Sequence, residues 1–462
     1  MSSEVPANEA RVDWQQWFVL AVWGATTSLA LISTAVYGRW FPWSDDFDIV
    51  PFVTGDKPVT LEWLWTQHNE HRIPLVKLFF IGMGRLSGCD YRWTLAANVL
   101  LLAGTSAVMS MAARRLRGFA SWTDALFPAV LVHLGQGALG WAFHTQFLMT
   151  TALGGIFVAT AVAGRRGSAG RAAMMAITAC LLPLTGSSAM LLAAAATCLL
   201  GAEALGWNAD PSATARLPRG IAAAGAATTI AVALAYVTSL QLMNKEFYAS
   251  PWQTLVAGLD TLASYPGSFV VASPLAWRLA TVVAIVGTIA VAARTMWQTD
   301  ASRRNCLWIL LGYLAALGLV ALAVGYGRGA RDFTHLYRHY STLALGVPVA
   351  IGLIWAALPQ TRAARSVQAF LCVAAIIIAG VHARKVVRTW GSGTEEWAVV
   401  TADMRGPDSP DEVAARRAAT LFFIDTPDTR RVIAHGIAAL RRTTYPLYCT
   451  RPAGEAGHSQ PK

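Results

Sequence analysis

The sequence predicts an all-α, polytopic integral membrane protein with about eleven transmembrane helices and interfacial helices in a long first outer loop. Three observations carry this. The 462 residues are 55% hydrophobic and only 14% charged, with a mean hydropathy of +0.44, whereas soluble domains are roughly a quarter charged. The apolar residues come in blocks near the length, about 18–20 residues, that takes a helix across the hydrocarbon core. Clusters of arginine mark every second connection between those blocks, the pattern of the positive-inside rule.

The first block, 17–38, follows a head carrying Glu4, Glu9, Arg11 and Asp13. A secretory signal has a basic head and a shorter apolar core, so this block reads as a retained anchor. The remaining spans are expected near 93–112, 122–139, 141–163, 172–187, 188–205, 220–239, 277–293, 305–325, 342–358 and 366–383. Arg114, Arg115 and Arg117 form the first basic turn and Arg165, Arg166 and Arg171 the second. Arg216 with Arg219, then Arg294 with Arg303 and Arg304, then Arg362 with Arg365, complete the series. Placing them in the cytoplasm puts the N-terminus inside and the C-terminus outside the plasma (inner) membrane. Arg384, Lys385 and Arg388 run against that rule.

A net charge of +11 and a pI near 9.7 do not point to nucleic acid, because the basic residues are dispersed among turns facing anionic headgroups. Cys180, Cys198, Cys306 and Cys372 lie in apolar spans. Cys89 and Cys449 share the expected outer side, which makes a disulfide between them an expectation in an oxidising compartment. No cysteine spacing resembles a zinc site.

The first outer loop, 39–92, carries the chemistry. An aromatic belt (Trp40, Phe41, Trp43) leads to Asp45, Asp46 and Asp48. Thr60 is placed to cap a helix through LEWLWTQHNEHRI, on which His68, His71 and Arg72 at i, i+3 and i+4 share a face, and Pro74 ends or bends it. The following IPLVKLFFIGMGRL is short, charged and amphipathic, as an interfacial helix is. Residues 1–383 form the expected catalytic membrane domain. The polar tail 384–462 is expected to add two short helices, capped at Ser409 and Thr426, as a small extracytoplasmic appendage.

A first span followed by an acidic pair and a long outer loop resembles the GT-C class of membrane glycosyltransferases. This class includes protein O-mannosyltransferases, aminoarabinose transferases and bacterial relatives that decorate envelope glycans. Trp65-Thr66-Gln67-His68-Asn69-Glu70-His71-Arg72 is similar to a W-x-x-H-N-E-H-R pattern of bacterial members. Trp141-Ala142-Phe143-His144-Thr145-Gln146-Phe147 is similar to an aromatic-plus-Gln signature at an outer turn. Tyr337-Arg338-His339-Tyr340 resembles, more loosely, an S-R-Y-x-x-Y element before a late span. These motifs sample about the first 345 residues and leave the tail uncovered.

The resemblance implies transfer of a sugar from a polyprenyl-phosphate donor to a cell-envelope glycan or lipid acceptor on the outer face. An acceptor hydroxyl needs a general base, and Asp46, with Asp45 beside it, is the expected one. The other carboxylate orients the acceptor or holds a divalent cation, the one candidate cofactor. His68, Asn69, Glu70, His71, Arg72, His144, Gln146, His339 and Tyr340 are the expected substrate-binding residues, with Arg328, Arg331 and Arg338 for the departing phosphate, which arginine grips bidentately. The alternatives are a transporter or flippase of lipid-linked sugars, and a metal-dependent hydrolase using His68, His71 and an aspartate. A flippase is expected to show internal repeats and polar groups at midplane, whereas here the ionisable residues gather at one face.

Overall fold

The computed structural model describes residues 13–134, 140–207, 216–238, 240–241, 248–265, 273–330, 340–422, 424–445 and 447–448. Among the described residues, nine helices are long and apolar enough to cross a membrane, from Trp14–Tyr37 through Tyr91–Arg117 to Arg362–Thr389. The architecture is that of an all-α polytopic membrane protein. Two of the eleven expected spans are not among the nine. The helix in 122–139 stops at Leu131 after a 3-10 turn. The helix in 172–187 is Ala169–Leu181, prolonged only by the 3-10 turn Leu182–Thr185.

Local signals set the helix ends. Asp13, Asp90, Ser168, Asp300 and Thr361 each accept a backbone N–H at an N-terminus, satisfying one of the donors a helix leaves open. Gly118, in the left-handed region at φ 90°, closes Tyr91–Arg117 behind Arg114, Arg115 and Arg117, where cations suit the helix dipole. Arg117 then holds Asp124 in a buried ion pair at 2.8 Å, joining this helix to the next segment.

One helix comes as an addition. Pro251–Ala263 is a 13-residue amphipathic helix with a Ser250 capping box, and it lies against Ala301–Arg328. A Cβ on Gly325 would sit 2.4 Å from the Thr254 carbonyl oxygen, so only glycine allows this approach.

Among the described residues, buried apolar side chains form two cores. The larger, between the long helices, includes Val99, Leu102, Met109, Leu131, Leu192, Leu310 and Ile354. The second joins the first outer loop to the C-terminal tail: Phe41, Phe47, Val50, Ile73, Val76 and Phe80 pack with Val400, Met404, Val413, Leu421, Ile433 and Ile437. The tail is thus more than an appendage. Its link is the 44-residue helix Arg362–Arg405, which runs unbroken through the expected boundary at 383. Trp43 donates to the Thr420 carbonyl at 2.8 Å, and Tyr448 OH lies 3.2 Å from the carbonyls of Trp40 and Cys89. Cys89 is a buried free thiol, and Cys449 lies outside the described residues.

Candidate active site

The chain leaves the first helix at Gly38 and turns through Ser44–Asp48, a 3-10 helix. With three residues per turn, such a helix eclipses positions i and i+3. Asp45 and Asp48 therefore share one edge, and Asp46 points elsewhere. Asp46 is 2% exposed, and its Oδ2 accepts the Trp43 N–H at 3.1 Å. Burial pushes its carboxyl well above the usual carboxylate range, against the pull of that hydrogen bond. It faces Arg39, Trp43, Tyr91 and Trp141, and the Arg39 guanidinium stacks 3.7 Å from the Trp43 ring centroid. The Trp43 N–H holds Asp46 within the turn through Oδ2.

The segment after Thr60 departs from the single helix expected through Arg72. A helix forms at Leu61–Trp65, capped by the Thr60 hydroxyl on the Trp63 N–H at 3.1 Å. It gives way to a two-stranded hairpin in which Gln67 pairs with Arg72 and His68 with His71, and Asn69 takes the left-handed turn position at φ 49°. Two buried cations explain the break. Lys77 donates to the carbonyls of Trp63 and Thr66 at 2.7 and 2.8 Å. Arg72 donates to Trp65 O at 2.6 Å, Tyr236 O at 3.1 Å and Thr238 O at 3.2 Å. Both occupy carbonyls that end helices. Arg72, expected on the substrate, instead ties the hairpin to the end of the helix Arg216–Val237.

The hairpin delivers His68 to the acidic edge. Its Nε2 is 3.7 Å from Asp45 Oδ2 and its Nδ1 is 3.6 Å from Asp48 Oδ2, and the ring lies 4.7 Å from that of Phe143. Burial alone lowers the His68 pKa, but the bonded Asp45 carboxylate and the charge on Asp48 outweigh it, so the net shift is upward. Burial likewise raises the Asp48 carboxyl, with His68 pulling it back. One ligand atom from each of Asp45, Asp48 and His68 falls within 4.8 Å of the others. Two hard carboxylate oxygens and an imidazole suit a divalent cation.

Beside this cluster opens a cavity of about 180 Å³, lined by Asp48, Gln67, His68 and Lys77 between the rings of Trp63 and Phe143. Polar groups that accept and donate, set between aromatic walls, suit a ligand rich in hydroxyls. Burial, helped by Arg72, pushes the Lys77 amine down to about 8.

A second polar cluster joins the hairpin to residues far along the sequence. Glu70, at the hairpin tip, forms a charge-paired contact with Arg328, the last residue of Ala301–Arg328. Arg328 Nε donates to Tyr340 OH at 3.2 Å, and the Tyr340 ring stands 5.3 Å from Phe147. His71 faces the break between two apolar helices, 2.6 Å from Ser187 Oγ. Burial pushes its imidazole down to about 4, partly offset by Glu70.

No family model, curated protein or solved structure matches this chain.

Of the residues expected from the sequence, Asp45 meets His68, Glu70 meets Arg328, Arg328 meets Tyr340 and His71 meets Ser187, while Asn69 is the exposed hairpin tip. His144 and Gln146 are buried. The His144 ring rests 4.4 Å from Trp141, and Gln146 Oε1 lies beside Gly186. Asp46 and Arg72 turn to backbone partners. Arg331, Arg338 and His339 lie outside the described residues. Asp48, Gln67, Lys77 and Ser187 were not among the expected site residues. Two signals could have marked Asp48 and Ser187: the i, i+3 spacing of Asp45 and Asp48, and the polar interruption Thr185-Gly186-Ser187-Ser188 between two apolar runs.

Proposed function

We propose that this protein is a membrane glycosyltransferase of the GT-C class, moving a sugar from a polyprenyl-phosphate donor to an envelope glycan or lipid acceptor. One observation carries the reading. A polar cavity of about 180 Å³ is lined by Asp48 and by His68, which lies between the carboxylates of Asp45 and Asp48, and the hairpin carrying His68 also holds Arg328 through Glu70. A lipid-linked donor keeps its phosphate at headgroup depth and its chain in hydrocarbon, so base and cation must meet at such a level. The N-terminus is cytoplasmic and the site and tail outer, following the basic turns.

Asp45, 3.7 Å from the cavity-lining His68, takes the acceptor hydroxyl proton, a role that needs a carboxylate within hydrogen-bond reach. Asp48 and His68 hold it in place. The acceptor oxygen forms the new bond to the anomeric carbon as the bond from that carbon to the phosphate oxygen breaks. The electron pair leaves on polyprenyl phosphate, where Arg328 stabilises the developing charge. The Asp45–His68–Asp48 grouping favours one second reading, a metal-assisted hydrolase releasing free sugar.

Mass spectrometry of envelope glycans from a strain lacking the protein separates these. Loss of one sugar, restored by the wild-type chain but not by Asp45→Asn, is the expected result. An unchanged glycan profile with free sugar released by the purified protein would favour hydrolysis.

A further inference from the structure

Between the helices Ala142–Ala163, Ser187–Ala204 and Ala301–Arg328 runs an apolar cavity of about 310 Å³ that shares no residue with the site above. Small residues make the space. Gly154, Ala196 and Gly312 line it, and a Cβ on Gly312 would meet nothing within 4 Å. The back of the cavity is buried at Val158, Leu182 and Leu192, whereas its lip is exposed at Cys198 and at Trp207 and Trp308, each 53% exposed. Packed proteins leave few voids larger than a water molecule. A cleft of this size, apolar and open on the flank of membrane-crossing helices, fits a hydrocarbon chain.

Depth selects the leaflet. His68, His71 and Glu70 of the hairpin meet Phe143, Ser187 and Arg328 at one end of these helices, so Ala163, Ala204 and Ala301 mark the opposite end. Leu192 and Tyr313 lie about 18 Å from that end by the helical rise per residue, and Ala202 and Trp207 lie beside it. One leaflet of hydrocarbon is about 15 Å thick. The cavity therefore runs the depth of the leaflet that borders the basic turns.

The mouth suits an anion. Ser187–Ala204 ends in a Schellman motif, with Gly206 in the left-handed region at φ 82°. The Gly206 N–H donates to the Glu203 carbonyl at 3.0 Å and the Trp207 N–H to the Ala202 carbonyl at 2.9 Å, the paired bonds that define this motif. It turns Trp207 back beside Ala202, and both line the cavity. The Arg219 guanidinium packs on the same glycine, where a Cβ would meet Nη2 at 3.0 Å. Arg219 is exposed and has no carboxylate or hydrogen-bond partner among the described residues, whereas Arg171 is held by Glu203 at 2.9 Å. The Trp207 indole N–H is likewise unpartnered there, and an indole at a membrane interface offers its N–H to a polar group while its ring stays in the apolar layer.

We infer that this cleft binds an anionic phospholipid, with one acyl chain between the three helices, the phosphate on Arg219 and the Trp207 N–H on a glycerol ester. A polyprenyl phosphate held at the first loop would keep its phosphate at the far end of these helices, away from Arg219.

The test uses the full-length protein in detergent and phosphatidylglycerol carrying a diazirine on one acyl chain. After illumination, peptide mapping should find the label on residues 192–202 and 308–313. Unlabelled phosphatidylglycerol should compete at about fivefold lower concentration than phosphatidylcholine with the same chains, the effect of one arginine near a membrane surface. Arg219→Gln should bring the two lipids together and leave the label in place. Gly312→Leu, whose side chain enters open space, should clear the label from the cleft without lowering the unfolding midpoint. Label spread evenly over exposed faces such as that of Trp14–Tyr37, or retained in the cleft of a folded Gly312→Leu protein, would overturn the inference. So would equal competition by the two lipids against the wild-type chain, a preference that survives Arg219→Gln, or displacement by farnesyl phosphate at lower concentration than by phosphatidylglycerol.

Discussion

At the scale of single residues, the three aspartates of one turn divide by geometry. Asp45 and Asp48 flank His68, and Asp46 accepts the Trp43 N–H away from that ring. Asp45→Asn should therefore cost roughly 10²–10⁴ in transfer rate. Asp46→Asn keeps a hydrogen-bond acceptor at the turn and should leave the rate within about tenfold. A folded Asp46→Asn protein without activity would return the base to Asp46. His71 makes a prediction in pH. Its folded-state pKa is lowered from 6.5 to about 4, so as pH falls the unfolded chain takes the proton first. Stability contributed by the neutral ring is lost between about pH 6.5 and 4. His68 acts with the opposite sign, being shifted upward, so the informative quantity is the difference from His71→Gln. Unfolding midpoints in detergent should converge for the two proteins as pH falls through that window.

At the scale of elements, the segment Leu61–Arg72 shows that helical spacing does not make a helix. His68, His71 and Arg72 fit one helical face in the sequence, but hydrogen bonds from Lys77 and Arg72 to the carbonyls of Trp63, Trp65 and Thr66 close the helix first. The loop then spends Asn69 on a left-handed position, where asparagine is tolerated. The pairing of Pro251–Ala263 with Ala301–Arg328 depends instead on what is missing. Gly325→Ala would drive a methyl into backbone atoms of Thr254 and Gly258 and should cost about 1–3 kcal/mol, as overpacking does. Gly318→Ala on the same helix meets nothing within 4 Å and should be neutral or stabilising by up to about 1 kcal/mol. Equal midpoints for the two variants in thermal unfolding would count against this packing.

At the scale of the whole molecule, the tail and the first loop form one unit. Arg442 pairs with Asp56 at 2.6 Å, and a Cβ on Gly436 would reach Phe47 at 2.6 Å. Removing residues 407–462 should expose Phe41, Phe47 and Val50 and disorder the Asp45 turn. Activity should then vanish while the Arg362–Arg405 helix remains inserted, which protease protection in membranes would report. The same packing requires Asp45 and the tail on one side of the membrane. Reporter fusions after Gly55 and after Lys462 giving opposite signals would contradict it.

The sequence by itself determined, among the described residues, the number of long apolar helices to within two and most of their boundaries to within a few residues. Hydrophobic blocks and capping residues act over a few turns of chain, so they are legible in one dimension. Only the tertiary structure decided which carboxylates share an edge, that His71 meets Ser187, that Glu70 meets Arg328 across 258 residues, and that the tail completes the core beneath the acidic turn. These are contacts between distant segments. Their energy comes from burying charges and apolar faces together, and no local pattern records which partner will be there.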